Sequence, residues 1–494
     1  MAIVKLTAVK TAPNVNPQVE FDDSIMIGQG GMKDVYFSRD KSYVVAWYRA
    51  PLNAQGRARL DDVVGKYYQN IFMDAYGDYW KNIFCWPDRI VERNGQIGIT
   101  APTYRSQFVF QEGNFKGKEK EGKWFASSKL FNRFVPDDEK GTLASTLRAC
   151  LTLSRGMRRL HAAGLSHSDL SYKNCLVNPK DGEACIIDCD SLVVPGKYPP
   201  DVIGTPDFIA PEVIQTLHLP IDAGRALPCR ETDRHALAVL IYMFLFHRHP
   251  LRGRKEHHQD RDEQERLEMG ERALFIEHPT DDSNRMDPDE EYPPWNDTQA
   301  MPYTILGKSL AELFRKAFVD GLHDRQKRPS ANDWENAIIQ TGDSLLPCSN
   351  PNCSQKHFIL DLNSRADSLA CPYCGTRYQN AVPIFDFYKK QGSAYRPEKL
   401  SLVGFHGTRL HLWHVDPQVT PNEKVKVEDR EPVGYLSFHQ GQWILANLKI
   451  DGLRDLTTGQ AIPPGSALVL RDGLELGLCD NGIAGRKAHV RFLR

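Results

Sequence analysis

The sequence predicts an α+β domain built of two lobes, followed by a small cysteine-containing unit and a C-terminal all-β sandwich. Three observations support this order: strand-like runs dominate residues 20–104, helical periodicity follows, and short strand-like runs return after a group of cysteines. The 494 residues allow two to four domains of the usual size. With 25% charged and 41% hydrophobic residues, the composition is that of an ordinary globular protein.

The charge balance and the apolar runs argue against several classes of protein. Lys+Arg 62 against Asp+Glu 63 leaves a net charge of −1, which predicts neither a nucleic-acid partner nor a membrane partner. The first residues lack the apolar core of a signal peptide, and the longest apolar run, Ala236 to Phe246, is too short to cross a bilayer. Eleven cysteines, only four of them in closely spaced pairs, fit a reducing compartment. We therefore expect a cytoplasmic protein.

The N-terminal region alternates strand-like runs with one helical stretch near Ala58–Tyr68. The runs DVYFS, YVVAWY and QIGITAP are rich in β-branched and aromatic residues, as strands are. Just before them the chain reads Gly28-Gln29-Gly30-Gly31. Glycines between two strands let backbone N–H groups approach phosphate oxygens without a side chain in the way. Taken alone this signal is weak, because glycine turns between strands are usually structural.

The region from Leu143 to about Gln340 is predicted to be mainly helical, because runs such as STLRACLTLSRGMRRLHAAG repeat their apolar residues at helical spacing. Within it, Asp169, Lys173 and Asn174 follow a His-Ser dipeptide, and Asp188 comes after a short apolar run. Phosphoryl transfer from ATP requires a carboxylate near the incoming hydroxyl, a cation near the transferred phosphate and two magnesium ligands. Asp169 can supply the carboxylate, Lys173 the cation, and Asn174 with Asp188 the ligands. The four residues are thus at a workable spacing for this chemistry, which uses ATP and Mg²⁺ as cofactors.

These motifs resemble the protein kinase family, and the resemblance continues in order through three further segments. They are Gly204-Thr205 before Ala210-Pro211-Glu212, then Thr232-Asp233, then Arg328-Pro329-Ser330. The resemblance implies a bilobal α+β protein-kinase fold, with an N-lobe in 1–104 and a C-lobe in 105–342 that carries a charged insert at 252–300. It also implies a buried ion pair between Glu212 and Arg328, and a nucleotide site lined by the glycine run, Val35 and Ala46.

The lysine that the family carries in its third strand is missing, since Val45-Ala46-Trp47-Tyr48-Arg49 occupies that segment. Kinases named for having no lysine there carry it in the glycine loop instead, and Lys33 resembles that relocated residue. Arg49 is the rival, but strand alternation places it on the face opposite Tyr48, so we favour Lys33 as a catalytic and phosphate-binding cation. No Glu lies between Phe21 and Val91, so its acidic partner is Asp61, Asp62 or absent.

Two substitutions concern regulation. Ser168 replaces the arginine that in the family receives the activation-loop phosphate, and the chain between Leu192 and Gly204 contains no Ser or Thr. We therefore expect a protein kinase that loop phosphorylation does not switch on. Gly204-Thr205 follows the pattern of serine/threonine kinases, which predicts Ser and Thr hydroxyls of proteins as acceptors. The competing hypothesis is a pseudokinase scaffold that binds partners through its C-terminal modules, with the missing lysine as its main support.

The cysteine group predicts a structural zinc site. Cys348 and Cys353 form C-x4-C, Cys371 and Cys374 form C-x2-C, and 17 residues separate the pairs. Tetrahedral Zn²⁺ takes four thiolates from two tight turns, although His357 could replace Cys353. We expect a zinc ribbon at 343–382 that the metal itself folds, because so small a unit has little apolar core.

Residues 398–494 read as short strands separated by turns and predict a β-sandwich interaction domain. The run from Trp443 to Gly477 weakly resembles a forkhead-associated domain, without the residues that bind phosphothreonine. The whole arrangement looks like bacterial eukaryotic-like kinases, especially those of tellurium-resistance operons. That resemblance implies a partner phosphatase and a von Willebrand-type protein.

Overall fold

The computed structural model describes residues 3–29, 32–200, 203–288, 294–362, 369–480, 482 and 484–494. The chain divides into two units. The first comprises Met1–Gly141, Ser145–Tyr303 and Glu312–Glu335, and the second comprises Thr142–Ala144, Thr304–Ala311 and Asn336–Arg494. Gly30 and Gly31 of the predicted phosphate loop lie outside the described residues, as do 289–293 of the predicted insert and 363–368 of the predicted zinc ribbon.

The first unit begins with a seven-stranded antiparallel sheet in the order β1-β3-β4-β5-β7-β6-β2. Its strands are β1 Ile3–Thr7, β2 Lys10–Thr11, β3 Gln18–Gln29, β4 Lys33–Ser38, β5 Tyr43–Tyr48, β6 Arg89–Arg93 and β7 Gln96–Pro102. The three runs predicted as strands form β4, β5 and β7, which pair consecutively at the centre of the sheet. β-branched and aromatic side chains suit this position because they pack on both faces of a pleated surface.

A helical segment of several parts packs against this sheet, in place of the single predicted helix. Asn53 caps helix α1 (Ala54–Asp62) by accepting a hydrogen bond from the Gly56 backbone N–H. The segment then continues through a π-helical turn, Val63–Tyr67, into α2, Tyr68–Phe72. The short helix α3, Gly77–Lys81, follows.

The remainder of the first unit is mainly helical, as predicted. Its helices, three of which extend beyond the unit boundary, are α4 Ser128–Phe134, α5 Leu143–Ala162, α6 Pro211–Thr216, α7 Arg230–Phe246, α8 Arg261–Met269, α9 Gly307–Arg315 and α10 Ala331–Gly342. A two-stranded ribbon, β8 Cys175–Asn178 and β9 Glu183–Ile186, lies among them. From Ala236 to Phe246 every residue of α7 is buried, which explains its continuous apolar run. No helix of the described residues has the length and apolar character needed to span a membrane.

The predicted Glu212–Arg328 ion pair is confirmed. Nη1 of Arg328 lies 2.8 Å from Oε1 of Glu212, and Nη2 lies 2.7 Å from Oε2. The Arg328 side chain is only 1% exposed and also donates to three backbone carbonyls. This bidentate contact ties α6 to the start of α10.

The second unit contains a small ribbon and two larger antiparallel sheets. The ribbon pairs β10 Leu345–Pro347 with β11 His357–Ile359. One sheet has five strands, in spatial order β13 Ala394–Val403, β12 Val382–Gln391, β20 Gly485–Leu493, β19 Leu474–Asp480 and β17 Arg454–Asp455. The other has four, in the order β14 Arg409–Leu410, β15 Gly434–His439, β16 Gln442–Asn447 and β18 Ala467–Val469. The short helix α11, Leu412–Val415, lies between β14 and β15 in sequence.

The two larger sheets share one apolar core, to which Phe387 and Val490 contribute from one sheet and Leu436 and Leu445 from the other. The C-terminal region is therefore β-rich, as predicted, but its predicted start at residue 398 was wrong. That position falls inside β13, and the preceding strand β12 pairs with both β13 and β20. The sequence pattern missed β12 because its polar second half, DFYKKQ, obscures the apolar alternation.

Candidate active site

Lys33 is the cation at the centre of the cleft. It opens β4, directly opposite Tyr48 of β5. Its Nζ lies 2.9 Å from Oδ1 of Asp188 and 2.7 Å from both carboxylate oxygens of Asp190. The Tyr48 hydroxyl donates to Asp190, and its ring centroid lies 5.5 Å from the Lys33 ammonium. We call Lys33, Tyr48, Asp188 and Asp190 the cleft ion cluster.

Arg49 lies apart from this cluster, on the opposite face of the strand. Its Nε donates to Oδ1 of Asp34 at 2.8 Å, and its side chain is 36% exposed. The alternation of side chains along β5 places Tyr48 inside the cleft and Arg49 outside it. Of the two candidate cations, only Lys33 contacts Asp188.

The prediction that Asp61 or Asp62 could pair with Lys33 is wrong. Asp61 faces Lys10 and Arg57, each at 3.9 Å. Asp62 accepts hydrogen bonds from Lys197 and Tyr198. The acidic partners of Lys33 come instead from the segment after β9, about 155 residues downstream.

Asp188 and Asp190 differ in their electrostatic environments. Burial and the neighbouring Asp190 carboxylate raise the pKa of Asp188 above its ordinary value. Burial alone would also raise the pKa of Asp190, but the Lys33 ammonium and the Tyr48 hydroxyl lower it. Burial opposes the charge on Lys33 as well, yet the two carboxylates raise its pKa. The buried cation is therefore kept charged by its acidic partners.

Asp169 and Asn174 contact one another in the catalytic loop. The Asn174 amide nitrogen donates to Oδ2 of Asp169 at 2.9 Å and to the Asp169 carbonyl at 2.8 Å. Oδ1 of Asp169 accepts from the backbone N–H and the hydroxyl of Thr205, at 2.7 and 2.9 Å. The Thr205 hydroxyl also lies 3.2 Å from the Ser171 hydroxyl. Both oxygens of Asp169 are thus oriented. The contact with Thr205 was not predicted, because the two residues are 36 positions apart and no local pattern joins them.

Asp233 supports the catalytic loop from α7. Its carboxylate accepts from the backbone N–H groups of His167 and Ser168, at 2.8 and 3.1 Å. Ser168 has a positive φ of 65°, which a non-glycine residue adopts at a cost in energy. His167 also contacts the Ile187 carbonyl through Nε2 at 2.9 Å. Asp233 and His167 therefore hold the loop in shape and link it to the segment carrying Asp188.

The predicted nucleotide-binding residues lie on three neighbouring strands. Gly28 pairs with Val35 across β3 and β4, and Val35 pairs with Ala46 across β4 and β5. Gln29 is the last residue of β3. Lys173, the second predicted cation, is exposed, and only its backbone N–H is in a described hydrogen bond, to Ser171.

The segment between Asp190 and Thr205 contacts helix α1 directly. Lys197 Nζ and the Tyr198 hydroxyl reach Oδ2 of Asp62 at 2.6 and 2.8 Å. The buried Arg59 donates from Nη1 to the Pro199 carbonyl at 3.1 Å. These contacts attach part of the predicted activation loop to α1.

The four predicted zinc ligands lie together in the second unit. The Sγ atoms of Cys348, Cys353, Cys371 and Cys374 lie within 4.8 Å of one another. Cys348 and Cys374 are 3.4 Å apart, and Cys353 and Cys371 are 3.9 Å apart. Four thiolates at about 2.3 Å from a tetrahedral Zn²⁺ would stand roughly 3.8 Å apart, so the spacing fits the ion.

Local turns explain this convergence. The backbone N–H of Gly375 donates to the Cys371 carbonyl at 2.8 Å, and the positive φ of 72° at Gly375 suits glycine. Hydrogen bonds from Thr376 lower the pKa of the Cys374 thiol to about 6, which favours the thiolate that a metal binds. His357 is not part of the four-residue group, so Cys353 is the better ligand candidate of the two.

The comparisons with known proteins agree with the geometry of the first unit. Residues 126–336 match the protein kinase domain family. A rat dual specificity testis-specific protein kinase 1 is 37% identical over 78 residues, which are 14% of this chain and 12% of that protein. A probable serine/threonine-protein kinase RTK1 of Saccharomyces cerevisiae is 32% identical over 113 residues, covering 21% and 16%. A probable serine/threonine-protein kinase CCRP1 of Zea mays is 36% identical over 106 residues, covering 20% and 16%.

The chain thus spans less than a fifth of the length of these relatives. The matched segment contains Asp169, Asn174 and Asp188 and leaves out Lys33. On this evidence, residues 126–336 match a protein kinase domain, a family whose fold is bilobal and α+β, and short stretches of the chain are similar to serine/threonine kinases.

Proposed function

We propose that this protein is an ATP- and Mg²⁺-dependent kinase that phosphorylates Ser and Thr hydroxyls of protein substrates. The observation that carries the proposal is the cleft itself. The carboxylate of Asp169 accepts from Asn174, whose backbone carbonyl accepts from the N–H of Ile187, the residue before Asp188, and the buried cation Lys33 contacts Asp188. Phosphoryl transfer depends mainly on such positioning and charge stabilisation.

Each residue has one proposed role. Asp169 orients and deprotonates the acceptor hydroxyl, while Thr205 and Asn174 hold its two oxygens in place. Asn174 and Asp188 would hold Mg²⁺, which supplies charge neutralisation between the phosphates when bound. Both offer oxygen atoms, the donors that this ion prefers.

The phosphates would meet cations and backbone donors. Lys33 and Lys173 neutralise their charge, with Lys33 as the relocated lysine, and the backbone of Gly28-Gln29-Gly30-Gly31 covers them. Val35 and Ala46 present small apolar side chains from neighbouring strands, where the nucleotide base would lie. The side-chain positions on β4 and β5 support Lys33 over Arg49 in this role.

We further propose that activity does not depend on activation-loop phosphorylation. Ser168 occupies the position of the phosphate-binding arginine, and the loop carries no Ser or Thr between Leu192 and Gly204. The contacts from Lys197 and Tyr198 to Asp62 support the proposal, because they attach the loop to α1 by protein groups alone.

The cysteine group would hold a structural Zn²⁺. Four thiols at a spacing that fits tetrahedral coordination leave no place for a catalytic water, so the role would be in folding or partner binding. The forkhead-associated resemblance of the sandwich, the cytoplasmic location, the tellurium-resistance association and the phosphatase and von Willebrand-type partners stay predictions from sequence.

Transfer of labelled γ-phosphate to the chain itself and to generic protein substrates tests the proposal. Asp169→Ala should lower the rate by about 10²–10⁴-fold, because it removes the base, and should leave nucleotide affinity nearly unchanged. Asp78→Ala is the matched control, since Asp78 is a surface carboxylate with 96% of its side chain exposed. Transfer at the parent rate by Asp169→Ala would refute the assignment, and a parent without any transfer would favour the pseudokinase scaffold.

A further inference from the structure

The ammonium of Lys33 has two carboxylate partners that differ in exposure. Asp188 contacts it through one oxygen, and the Asp188 side chain is 39% exposed. Asp190 contacts it through both oxygens, and its side chain is only 5% exposed. The Tyr48 hydroxyl donates to Asp190 as well. Asp190 is therefore the more enclosed and the more completely bonded of the two.

Helix α1 supplies no acid to this cation. Its two acidic residues, Asp61 and Asp62, have partners elsewhere. The charged side chain that α1 does bury, with 4% of the residue exposed, is the cation Arg59. Among the described residues, the acidic hydrogen-bond partners of Lys33 thus come only from the segment after β9.

A single carboxylate could not serve both a metal and Lys33 equally well. If Asp188 binds Mg²⁺ as proposed, the metal and Lys33 share one carboxylate, whose Oδ1 already contacts the ammonium. A lysine on a flexible four-carbon stem then needs another anion to hold its ammonium in place. Asp190, two residues further along, already provides that anion with two contacts of 2.7 Å.

We infer that Asp190, oriented by Tyr48, is a positioning residue that holds Lys33 for the nucleotide phosphates and leaves Asp188 to the metal. The inference rests on the proposed function and adds a residue to it. It places the anchor of the essential cation in the segment that also carries the metal ligand. Lys33 would then be positioned whenever Asp188 is, whatever the position of α1.

A double-mutant cycle between Asp190→Asn and Lys33→Met tests the inference, with kcat and the KM for ATP measured for the full chain. Asp190→Asn keeps the size of the side chain and removes its charge. We expect it to lower kcat/KM by about 10–100-fold, as a misplaced catalytic group does. If Asp190 acts through Lys33, adding Asp190→Asn to Lys33→Met should cost nothing more. An equal loss in both backgrounds would overturn the inference, as would a parent-like rate for Asp190→Asn.

Asp34→Asn is the matched control, because Asp34 pairs with Arg49 outside the cleft. It should leave kcat/KM close to the parent value. Tyr48→Phe is the second variant, should Asp190→Asn fail to fold. It removes one hydrogen bond to Asp190 and should give a smaller loss that likewise disappears in the Lys33→Met background.

A readout that needs no phosphoryl transfer separates this inference from the proposed function. The reactivity of Lys33 towards an amine-selective acylating reagent, measured by peptide mass spectrometry, reports how firmly its ammonium is held. Asp190→Asn should increase this reactivity, and Asp34→Asn should not. Unchanged reactivity in Asp190→Asn overturns the anchoring role even if the parent is active. If the parent shows no phosphoryl transfer but Asp190→Asn still increases the reactivity of Lys33, the anchoring role is supported and the kinase assignment fails.

Discussion

Negative charge is neutralised differently in the cleft and in the cysteine group. In the cleft ion cluster, the carboxylates of Asp188 and Asp190 are neutralised by Lys33, a cation from the same chain. In the cysteine group, four sulfur atoms lie within 4.8 Å of one another. Four thiolates so close together would repel one another without a cation between them. Neutral thiols would not repel, but they would not bind the metal that their spacing fits.

The two sites therefore differ in whether the chain itself supplies the neutralising charge. In the cleft, carboxylates and an ammonium of the same chain contact one another and neutralise each other's charge. The cysteine group needs an external cation to hold its two turns together. Removing charge from each site should therefore affect different properties, namely catalysis at the cleft and local folding at the cysteines.

The largest effect is expected when metal is withheld from the cysteine group. Structural Zn²⁺ contributes roughly 10–16 kcal/mol in zinc-finger peptides, so a chelator, or Cys371→Ser with Cys374→Ser, should abolish the protease resistance of the segment around 346–378. The two large sheets should persist, because their core is built from other residues. Zinc content and limited proteolysis provide the measurements.

The cysteine turns also pack against neighbouring strands, so the metal is not all that holds them. Buried Cys353 and Cys371 share an apolar cluster with Val382, Ile384 and Val403 of β12 and β13. The turns should therefore loosen without complete separation from these strands. Cys85→Ser is the control, because Cys85 lies outside the group and a serine hydroxyl can keep its contact with the Pro102 carbonyl. Full protease resistance in a chain shown to bind no metal would contradict the zinc assignment.

The ion pair of Arg328 with Glu212 lies away from the cleft and is expected to contribute to the free energy of unfolding. Arg328→Met leaves the Glu212 carboxylate without the cation that neutralises it, and should lower the free energy of unfolding by about 3–5 kcal/mol. Arg315→Met is the control, since Arg315 and Asp320 form an exposed pair worth about 1 kcal/mol or less. Urea unfolding monitored by tryptophan fluorescence measures both variants. Equal small losses would mean that the buried pair is dispensable.

Removing the internal cation tests the cleft itself. Lys33→Met should lower the rate of phosphoryl transfer by about 10²–10³-fold, because it removes the charge that meets the transferred phosphate. Arg49→Met should cost far less, since its side chain lies on the opposite face of β5 against Asp34. Autophosphorylation and nucleotide affinity, measured side by side, decide between them. An inactive Arg49→Met with a nearly normal Lys33→Met would show that the relocated-lysine assignment is wrong.

The smallest effect is expected at Ser191, which directly precedes the segment from Leu192 to Gly204 that contains no Ser or Thr. Its hydroxyl donates to the Asp188 carbonyl at a long 3.4 Å. Ser191→Ala should leave the rate of transfer almost unchanged, because Ser168 cannot bind a loop phosphate. Steady-state kinetics of the variant are sufficient. A loss of activity that Ser191→Asp restores would contradict independence from loop phosphorylation.

Local patterns in the sequence predicted the elements well. The strands β4, β5 and β7 and the helix α5 follow from runs whose periodicity is visible over a few residues. The four cysteines could be grouped because two tight turns bring close sequence neighbours together. The pair Glu212–Arg328 came from the family resemblance, since no local pattern joins residues 116 positions apart.

The order of the elements, the motif carrying Asp169 and Asn174, and the opposite directions of Tyr48 and Arg49 at the end of β5 could all be read from the sequence. Backbone sterics and side-chain alternation set these features within a few residues. The contacts of Asp190 with Lys33 and of Asp233 with the catalytic loop, and the start of the C-terminal sheet at β12, are visible only in the folded chain. These contacts join distant parts of the chain, and any of several acids could have satisfied the same lysine. Which one does so depends on how the strands and helices pack, and spacing along the chain does not record that.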